Sequence, residues 1–177
     1  MSRPIAALIG PPGAGKTTVG RLLAQQLGVD FRDTDADIEV VARKPIGDIF
    51  IQDGEPAFRV LERAAVTAAL REHAGVLGLG AGAVLDPGTR TLLAGHAVVY
   101  LETGFAVALQ RTGMDRPRPL LLGNPRARLR QLLEERLPIY EELAVITVRT
   151  DDYAPEEIVD EVAAGLAAAP GGRGPQP

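Results

Sequence analysis

The chain has no cysteine and no tryptophan among its 177 residues, and it has only two histidines. Without cysteine it can form neither a disulfide nor a thiolate-based catalytic or zinc site. Aromatic residues make up 4% of the sequence, which argues against a stacking platform for single-stranded nucleic acid. The net charge of −4 also disfavours a general nucleic-acid binder. We therefore expect no nucleic-acid partner, and any anionic substrate must meet a local cluster of Arg or Lys.

Long apolar runs are also missing. The run at residues 5–9 is too short for a signal peptide or a membrane span, so we expect a cytoplasmic protein without membrane association. The length suits one α/β domain, which we predict over residues 1–169 and expect to be a monomer. Residues 170–177 are rich in Gly and Pro and predict a disordered tail.

Short apolar runs alternate with amphipathic stretches, a pattern typical of a parallel sheet with helices on both faces. The apolar runs predict strands at residues 5–9, 31–34, 75–79, 97–101 and 145–148. Helical spacing predicts helices at residues 16–27, 36–43, 46–52, 55–72, 87–94, 104–112 after a Thr103 cap, 125–143 and 155–168. Ligands of such folds bind at the carboxyl ends of the strands.

A phosphate-binding loop follows the first predicted strand. Residues 10–17, GPPGAGKT, fit the pattern G-x-x-x-x-G-K-[ST] between a strand and a helix. Glycines let backbone N–H groups turn toward phosphate oxygens, and the helix N-terminus adds a favourable dipole. Lys16 would then reach the β- and γ-phosphates and the Thr17 hydroxyl would ligate Mg²⁺. The motif predicts nucleotide binding on a P-loop NTPase-type three-layer sandwich, and a chance glycine-rich turn is the alternative.

An acidic pair, Asp33 and Asp35, follows the second predicted strand. One carboxylate could support the Mg²⁺ shell while the other accepts a proton from an attacking hydroxyl, as kinase chemistry requires. The alternative is that Asp35 caps the helix predicted at 36–43. No Asp ends the later apolar strands, and Glu102 is a weaker substitute. A hydrolytic motor is therefore disfavoured.

Arginines provide the basic groups that an acidic protein needs for anionic ligands. They are Arg59, Arg136, and, in or beside a basic Pro-rich segment, Arg111, Arg116 and Arg118. The Arg fork grips carboxylate or phosphate with two hydrogen bonds. The basic segment, at about residues 112–124, predicts a mobile lid that excludes water and stabilises developing charge. The alternative for each is a solvated surface arginine paired with a neighbouring Glu.

Taken together, these motifs resemble the shikimate kinase family from about residue 5 to about residue 162. Beyond the phosphate loop, the resemblance lies in DTD at 33–35, DGE at 53–55 with FR at 58–59, RPLL at 118–121 and RLPIY at 136–140. It implies a kinase that uses ATP and Mg²⁺ to phosphorylate the 3-hydroxyl of shikimate, on the route to aromatic amino acids.

The resemblance also implies a role for each site residue. The implied catalytic residues are Asp35 as the base, Lys16, and Arg118 on the lid. The implied nucleotide-binding residues are Gly13, Ala14, Gly15, Lys16, Thr17, Thr18, Arg111, Arg118, and Tyr153 in the adenine loop at 150–155. The implied shikimate-binding residues are Asp35, Arg59 and Arg136, with backbone groups of Gly80, Ala81 and Gly82. The implied Mg²⁺-binding residues are Thr17 and, through water, Asp33.

Two departures from the family pattern keep alternatives open. The family usually has three glycines where this chain has Gly80-Ala81-Gly82, so Ala81 would strain the turn if its φ were positive and would be harmless otherwise. Asp152 and Tyr153 stand where relatives often have a basic or polar adenine-loop residue. A gluconate-type kinase is the first alternative, a nucleoside monophosphate kinase is less favoured, and a non-catalytic nucleotide-binding domain belongs to a different class.

Overall fold

Five parallel strands form one central sheet in the computed structural model, which describes residues 3–113 and 124–169. The strands are β1 (Ala6–Ile9), β2 (Phe31–Asp33), β3 (Val76–Gly78), β4 (Val98–Glu102) and β5 (Ile146–Arg149). They lie in the order β2-β3-β1-β4-β5, and every neighbouring pair is parallel. The predicted five-stranded parallel sheet is confirmed.

Helices connect the strands. They are α1 (Lys16–Leu27), α2 (Thr34–Ala42), α3 (Ile46–Gln52), α4 (Glu55–Glu72), α5 (Pro87–Leu93), α6 (Phe105–Thr112), α7 (Pro125–Leu143) and α8 (Pro155–Ala168), with a short 3₁₀ turn at Ala83–Leu85. Helix α1 ends where Gly28 adopts the left-handed conformation, a common helix stop. In the described residues, no helix is both long and apolar enough to cross a membrane.

Apolar side chains cover both faces of the sheet. Successive residues of a strand point to opposite faces, so Leu8 of β1 packs with α1 and α8 while Ile9 packs with α4, α5 and α7. Both side chains are at most 1% exposed. A strand buried on both faces accounts for the uninterrupted apolar run in the sequence. The predicted three-layer sandwich is confirmed.

A small separate core holds α2 and α3 against α4. Ile38, Ile49 and Phe58 are buried together there. The start of α2, which follows β2 directly, and the first turns of α4 are thereby fixed beside the carboxyl ends of the strands. This packing positions the acidic pair and Arg59.

The structure corrects two local predictions. Thr34 begins α2 instead of ending a strand, because the Asp33 side chain accepts a hydrogen bond from Asp35 N and caps the helix. Thr103 does not cap α6, which follows Gly104. The Thr103 side chain is buried and shares a hydrogen bond of 2.7 Å with the Thr150 hydroxyl.

Some predictions fall outside the part of the chain that the structure describes. The lid predicted at about 112–124 falls mostly on residues 114–123, and Arg116 and Arg118 are among them. The predicted tail at 170–177 is also outside the described residues. These predictions stay predictions.

Candidate active site

The loops that follow β1, β2 and β3 meet at one edge of the sheet. They carry the phosphate loop, the acidic pair and the turn at Gly80–Gly82, because the carboxyl ends of parallel strands point the same way. Helix α4 brings Arg59 to this edge, and α7 brings Arg136. The order of the strands changes direction at β1, which has β3 on one side and β4 on the other, and this is where such folds bind ligands.

The phosphate loop has the backbone that its glycines predict. Gly13 and Gly15 have φ of 80° and 87°, in the left-handed region that other residues rarely adopt. Ala14 between them is buried, and Thr17 and Thr18 are exposed in the first turn of α1. Helix α1 begins at Lys16 without a side-chain cap, so its first N–H groups are available to an anion.

Lys16 lies in the middle of the site. Its Nζ donates to the carbonyl oxygens of Gly10 and Pro11 at 2.8 and 3.0 Å. Desolvation lowers the pKa of Lys16 to about 8, although the charges of Asp35 and Asp33 act against it. Hydrogen bonds from an ammonium group to charged phosphate oxygens are stronger than those to neutral carbonyls, so a bound phosphate would compete with these two contacts.

Thr17 and Asp33 form a pair of hard oxygen donors. The Thr17 hydroxyl donates to Oδ2 of Asp33 at 3.0 Å, while Oδ1 of Asp33 accepts from the N–H of Asp35 at 2.9 Å. Hydroxyl and carboxylate oxygens beside a phosphate site suit Mg²⁺, which takes few protein ligands and keeps several waters. The capping alternative raised for Asp35 belongs to Asp33 instead.

Asp35 carries the clearest sign of a missing partner. Its Oδ1 is buried and accepts no hydrogen bond from the described residues. Burial raises the pKa of Asp35 to about 6, helped by the charges of Asp33 and Glu62 and opposed by Lys16. An unpaired buried carboxylate oxygen is costly, and a substrate hydroxyl would satisfy it. A carboxylate with a raised pKa is also a better general base.

Arg59 is held by acidic neighbours on its own helix. Its Nη1 donates to Glu62 at 2.6 Å and its Nη2 to Glu55 at 3.2 Å. The alternative of pairing with a neighbouring Glu is thus partly correct, but Glu62 is only 3% exposed. Burial raises the pKa of Glu62 even though the Arg59 guanidinium acts in the opposite direction. The pair is therefore a built feature of the site and not a solvated surface contact.

The turn at Gly80–Gly82 packs against the side chains of Asp35 and Arg59. A β-carbon on Gly80 would lie 2.6 Å from Oδ1 of Asp35, and one on Gly82 would lie 2.6 Å from Nη1 of Arg59. A side chain at either position would have to displace a charged group of the site, whereas Ala81 has no positive φ. The alanine therefore causes no backbone strain.

Hydrogen bonds orient the backbone of the same turn. Thr34 Oγ1 accepts from Gly80 N at 3.2 Å, so that group is already used. Within the described residues, the N–H groups of Ala81 and Gly82 donate to no protein acceptor. Of the three residues predicted to offer backbone groups to a substrate, these two have the free donors.

Three further predicted site residues, Arg136, Arg111 and Tyr153, lie in other elements of the fold. Arg136 is partly buried on α7, and its charge acts on Lys16 and on Glu62. Arg111 donates to the Gly13 carbonyl at 3.2 Å and to the Thr150 carbonyl at 3.1 Å, which joins the phosphate loop to the loop after β5. Tyr153 is 49% exposed in that second loop.

Sequence reasoning missed three residues of the site. In the sequence, Thr34 lies in the middle of the acidic motif, Glu62 belongs to none of the motifs, and Tyr140 ends the motif RLPIY. The Tyr140 hydroxyl donates to the Ala81 carbonyl at 2.6 Å. The spacing of Arg59 and Glu62, three residues apart on a predicted helix, was a usable signal, whereas the Tyr140 contact left none.

The fold and this site define a small P-loop kinase, and comparisons with known proteins identify the family. The shikimate kinase family model matches residues 12–167. A shikimate kinase of Thermobifida fusca is 61% identical over 95% of this chain and 98% of its own, and one of Saccharopolyspora erythraea is 56% identical over 90% and 91%. The solved structure of Acinetobacter baumannii shikimate kinase in complex with shikimate has a TM-score of 0.86 at 38% identity, covering 95% of this chain and 94% of that one. The chain belongs to the shikimate kinase family.

Proposed function

We propose that this chain transfers the γ-phosphoryl group of ATP to the 3-hydroxyl of shikimate, giving shikimate 3-phosphate and ADP on the route to chorismate and the aromatic amino acids. Membership of the shikimate kinase family supports the activity and ATP as its phosphoryl donor. The observation that carries the residue assignment is the buried, unpaired Oδ1 of Asp35, beside Lys16 of the phosphate loop.

Asp35 is the general base of the proposed reaction. Its Oδ1 accepts a hydrogen bond from the reacting hydroxyl and takes the proton. The hydroxyl oxygen then bonds to the γ-phosphorus while the bond from that phosphorus to the β–γ bridging oxygen breaks, and ADP leaves. Proton transfer of this kind contributes about 10²- to 10⁴-fold to a rate, and positioning of the two reactants supplies much of the rest.

The phosphate loop binds ATP in this proposal. The N–H groups from Gly13 to Thr18 surround the phosphates, and Lys16 leaves the loop carbonyls to neutralise charge on the transferred group. Thr17 and Asp33 would hold Mg²⁺, directly and through water. When bound, the ion would neutralise phosphate charge. Arg111 and Tyr153 are proposed nucleotide contacts, and Arg118 stays a predicted phosphate contact.

Arg59 and Arg136 grip the shikimate carboxylate in this proposal. Each offers the planar fork that matches a carboxylate, and the two come from different helices on the same face of the sheet, α4 and α7. The free N–H groups of Ala81 and Gly82 donate to other oxygens of the substrate. Two arginines and a general base in one site suit a substrate that carries both a carboxylate and a hydroxyl.

A coupled assay for ADP release tests the proposal, with Mg-ATP and either shikimate or gluconate as the acceptor. We expect turnover with shikimate and none with gluconate, and no turnover in Lys16→Ala although it remains folded. Turnover with gluconate alone would keep the mechanism and overturn the substrate. Activity with neither acceptor would favour the non-catalytic alternative, and wild-type turnover in Lys16→Ala would refute the role of the phosphate loop.

A further inference from the structure

The peptide between Ala81 and Gly82 has its two ends in different surroundings. Its carbonyl oxygen accepts a hydrogen bond of 2.6 Å from the Tyr140 hydroxyl. Its N–H, on Gly82, donates to no acceptor in the described residues. A trans peptide is planar, and its C=O and N–H point in opposite directions. Holding the carbonyl therefore also fixes the direction of the Gly82 N–H.

The preceding peptide is arranged in the same way. The Gly80 carbonyl accepts from Ala83 N at 3.0 Å, which fixes the direction of the free Ala81 N–H. That restraint is local, because it comes from the turn itself. The restraint on the Ala81–Gly82 peptide comes from α7, a helix 59 residues further along the chain, and it depends on one side-chain hydroxyl.

Tyr140 is itself firmly held. It is 1% exposed, and its ring stacks on the ring of Tyr100 with 5.1 Å between centroids. Burial raises the pKa of Tyr140 to about 12, although the charge of Arg136 and a side-chain hydrogen bond from it act in the opposite direction. The hydroxyl therefore stays protonated at neutral pH and can donate. Arg136 lies four residues earlier on the same helix.

We propose that Tyr140 is a positioning residue for substrate binding, which aims the Gly82 N–H at the bound acceptor by holding the Ala81 carbonyl. The proposal rests on the proposed function, because the acceptor is shikimate. It assigns Tyr140 no contact with the substrate. Its effect should appear in the binding of shikimate and not in the binding of ATP.

Tyr140→Phe removes the hydroxyl and keeps the ring, and Tyr100→Phe is the matched control. Tyr100 is the stacked partner in the same core cluster, and no hydrogen bond of its hydroxyl is seen within the described residues. For Tyr140→Phe we expect the KM for shikimate to rise about three- to tenfold, the effect of one hydrogen bond. The KM for ATP should stay within about twofold, and Tyr100→Phe should leave both constants within about twofold.

A second comparison tests whether Tyr140 acts on shikimate binding through the Ala81–Gly82 peptide or through Arg136. Tyr140→Phe is made again in an Arg136→Ala background, and kcat/KM for shikimate is compared in a double-mutant cycle. We expect the loss caused by Tyr140→Phe to persist there, because the Ala81 carbonyl is still released. Disappearance of the loss would mean that Tyr140 acts through Arg136 and would overturn the proposal.

Two further outcomes are distinct. An unchanged KM for shikimate in Tyr140→Phe, or equal rises for shikimate and ATP, would overturn the role of Tyr140 while leaving the proposed function intact. Absence of shikimate-dependent ADP release in the wild-type chain would refute the proposed function, and the inference would fall with it. Thermal unfolding of both Phe variants shows whether any loss reflects the fold, since each lacks one buried hydroxyl.

Discussion

Gly80 and Asp35 touch at the centre of the site, where a β-carbon on the glycine would lie 2.6 Å from the buried Oδ1. The oxygen that we assign as the proton acceptor therefore packs against the backbone of a residue that has no side chain. The same atom accepts no hydrogen bond from the described residues. The lack of a side chain at residue 80 keeps the carboxylate in place and leaves its free oxygen for a substrate.

Replacement of Gly80 by Ala should therefore damage catalysis more than folding. The added methyl must displace the Asp35 carboxylate, and a misplacement of about 1 Å costs about 100-fold in rate. We expect kcat to fall by roughly that factor while the KM for ATP stays within about twofold. Steady-state kinetics measure both constants.

Ala81→Gly is the matched control for Gly80→Ala, on the adjacent residue. Ala81 has no positive φ and its N–H is unaffected by the change, so we expect kinetic constants within about twofold of wild type. The free energy of unfolding should fall by about 0.4–1 kcal/mol, because glycine gives the unfolded chain more freedom. A kcat in Gly80→Ala equal to that of Ala81→Gly would contradict the assigned contact.

Glu62→Gln should raise the KM for shikimate and lower the pH at which kcat/KM falls on the acid side. The KM for shikimate should rise, because Arg59 loses the charged partner that holds it at 2.6 Å. The acid limb of kcat/KM should move to lower pH, because the charge of Glu62 raises the pKa of Asp35 and its removal lowers that pKa. The magnitude for KM is about tenfold, the effect of one charged hydrogen bond. A pH profile for each acceptor concentration gives both quantities.

Glu55→Gln is the control for that experiment. Glu55 also pairs with Arg59, at 3.2 Å, but its side chain is 59% exposed, and exposed ion pairs contribute little. We expect no shift of the acid limb and a change in KM of less than about twofold. If both variants raised KM equally, burial of Glu62 would not matter and its positioning role would be wrong.

Asp35→Asn should abolish turnover and yet stabilise the fold at neutral pH. The folded-state pKa of Asp35 is raised from 3.8 to about 6, so between these values the folded protein binds more protons than the unfolded one. Stability then falls as pH rises through this window, and the full penalty applies above it. We expect Asp35→Asn to gain about 1–2 kcal/mol at about pH 7.5 and nothing at about pH 3.5. Chemical denaturation at the two pH values measures the difference.

The same pKa predicts the pH dependence of kcat/KM for the wild-type protein. Because the base must be ionised, kcat/KM should fall below a pH of about 6, the pKa of Asp35 in the free protein. A gain in stability for Asp35→Asn that was equal at both pH values would show that the gain does not come from ionisation. Residual turnover near the wild-type rate would remove Asp35 from the role of base.

Much of the site was predictable because its parts follow strand ends. Lys16 and Asp35 lie in the first turns of different helices, yet a parallel sheet puts the starts of both helices at one edge, and no detail of packing was needed. Helix bounds were also predictable where the sequence has a strong stop or start, as at Gly28 and Pro155. Both features depend on local sequence and on the topology of the sheet.

Two of the residues that the sequence did not reveal, Tyr140 and Thr34, make their contacts with residues far away in the chain. The hydrogen bond between Tyr140 and Ala81 joins residues 59 positions apart, and the one between Thr34 and Gly80 joins residues 46 positions apart. No local sequence pattern predicts either bond. The position of Thr103 just before a helical stretch predicts a helix cap. In the fold, the adjacent parallel strands β4 and β5 bring it against Thr150, and the two buried hydroxyls satisfy each other instead.

Asp33→Asn should raise the Mg²⁺ requirement of the reaction and leave the fold intact. Asn caps a helix about as well as Asp. The side-chain oxygen at residue 33 therefore still accepts the hydrogen bond from the N–H of Asp35. The charge that faces the Thr17 hydroxyl is lost, and a change of this kind near a metal typically costs about 10- to 100-fold in affinity or activity. We expect the Mg²⁺ concentration for half-maximal rate to rise about tenfold at saturating ATP.

Asp37→Asn provides the control, since Asp37 lies in the first turn of the helix that Asp33 caps and pairs with Arg32 at 2.7 Å. Both variants remove one negative charge near the start of α2, but the Asp37 carboxylate has its own partner outside the phosphate site. Its Mg²⁺ dependence should match that of wild type. Equal Mg²⁺ dependence in Asp33→Asn and Asp37→Asn would mean that Asp33 serves only as a helix cap. The pairing of Thr17 with Asp33 would then belong to the fold alone, and the metal would be held by Thr17 and the phosphates.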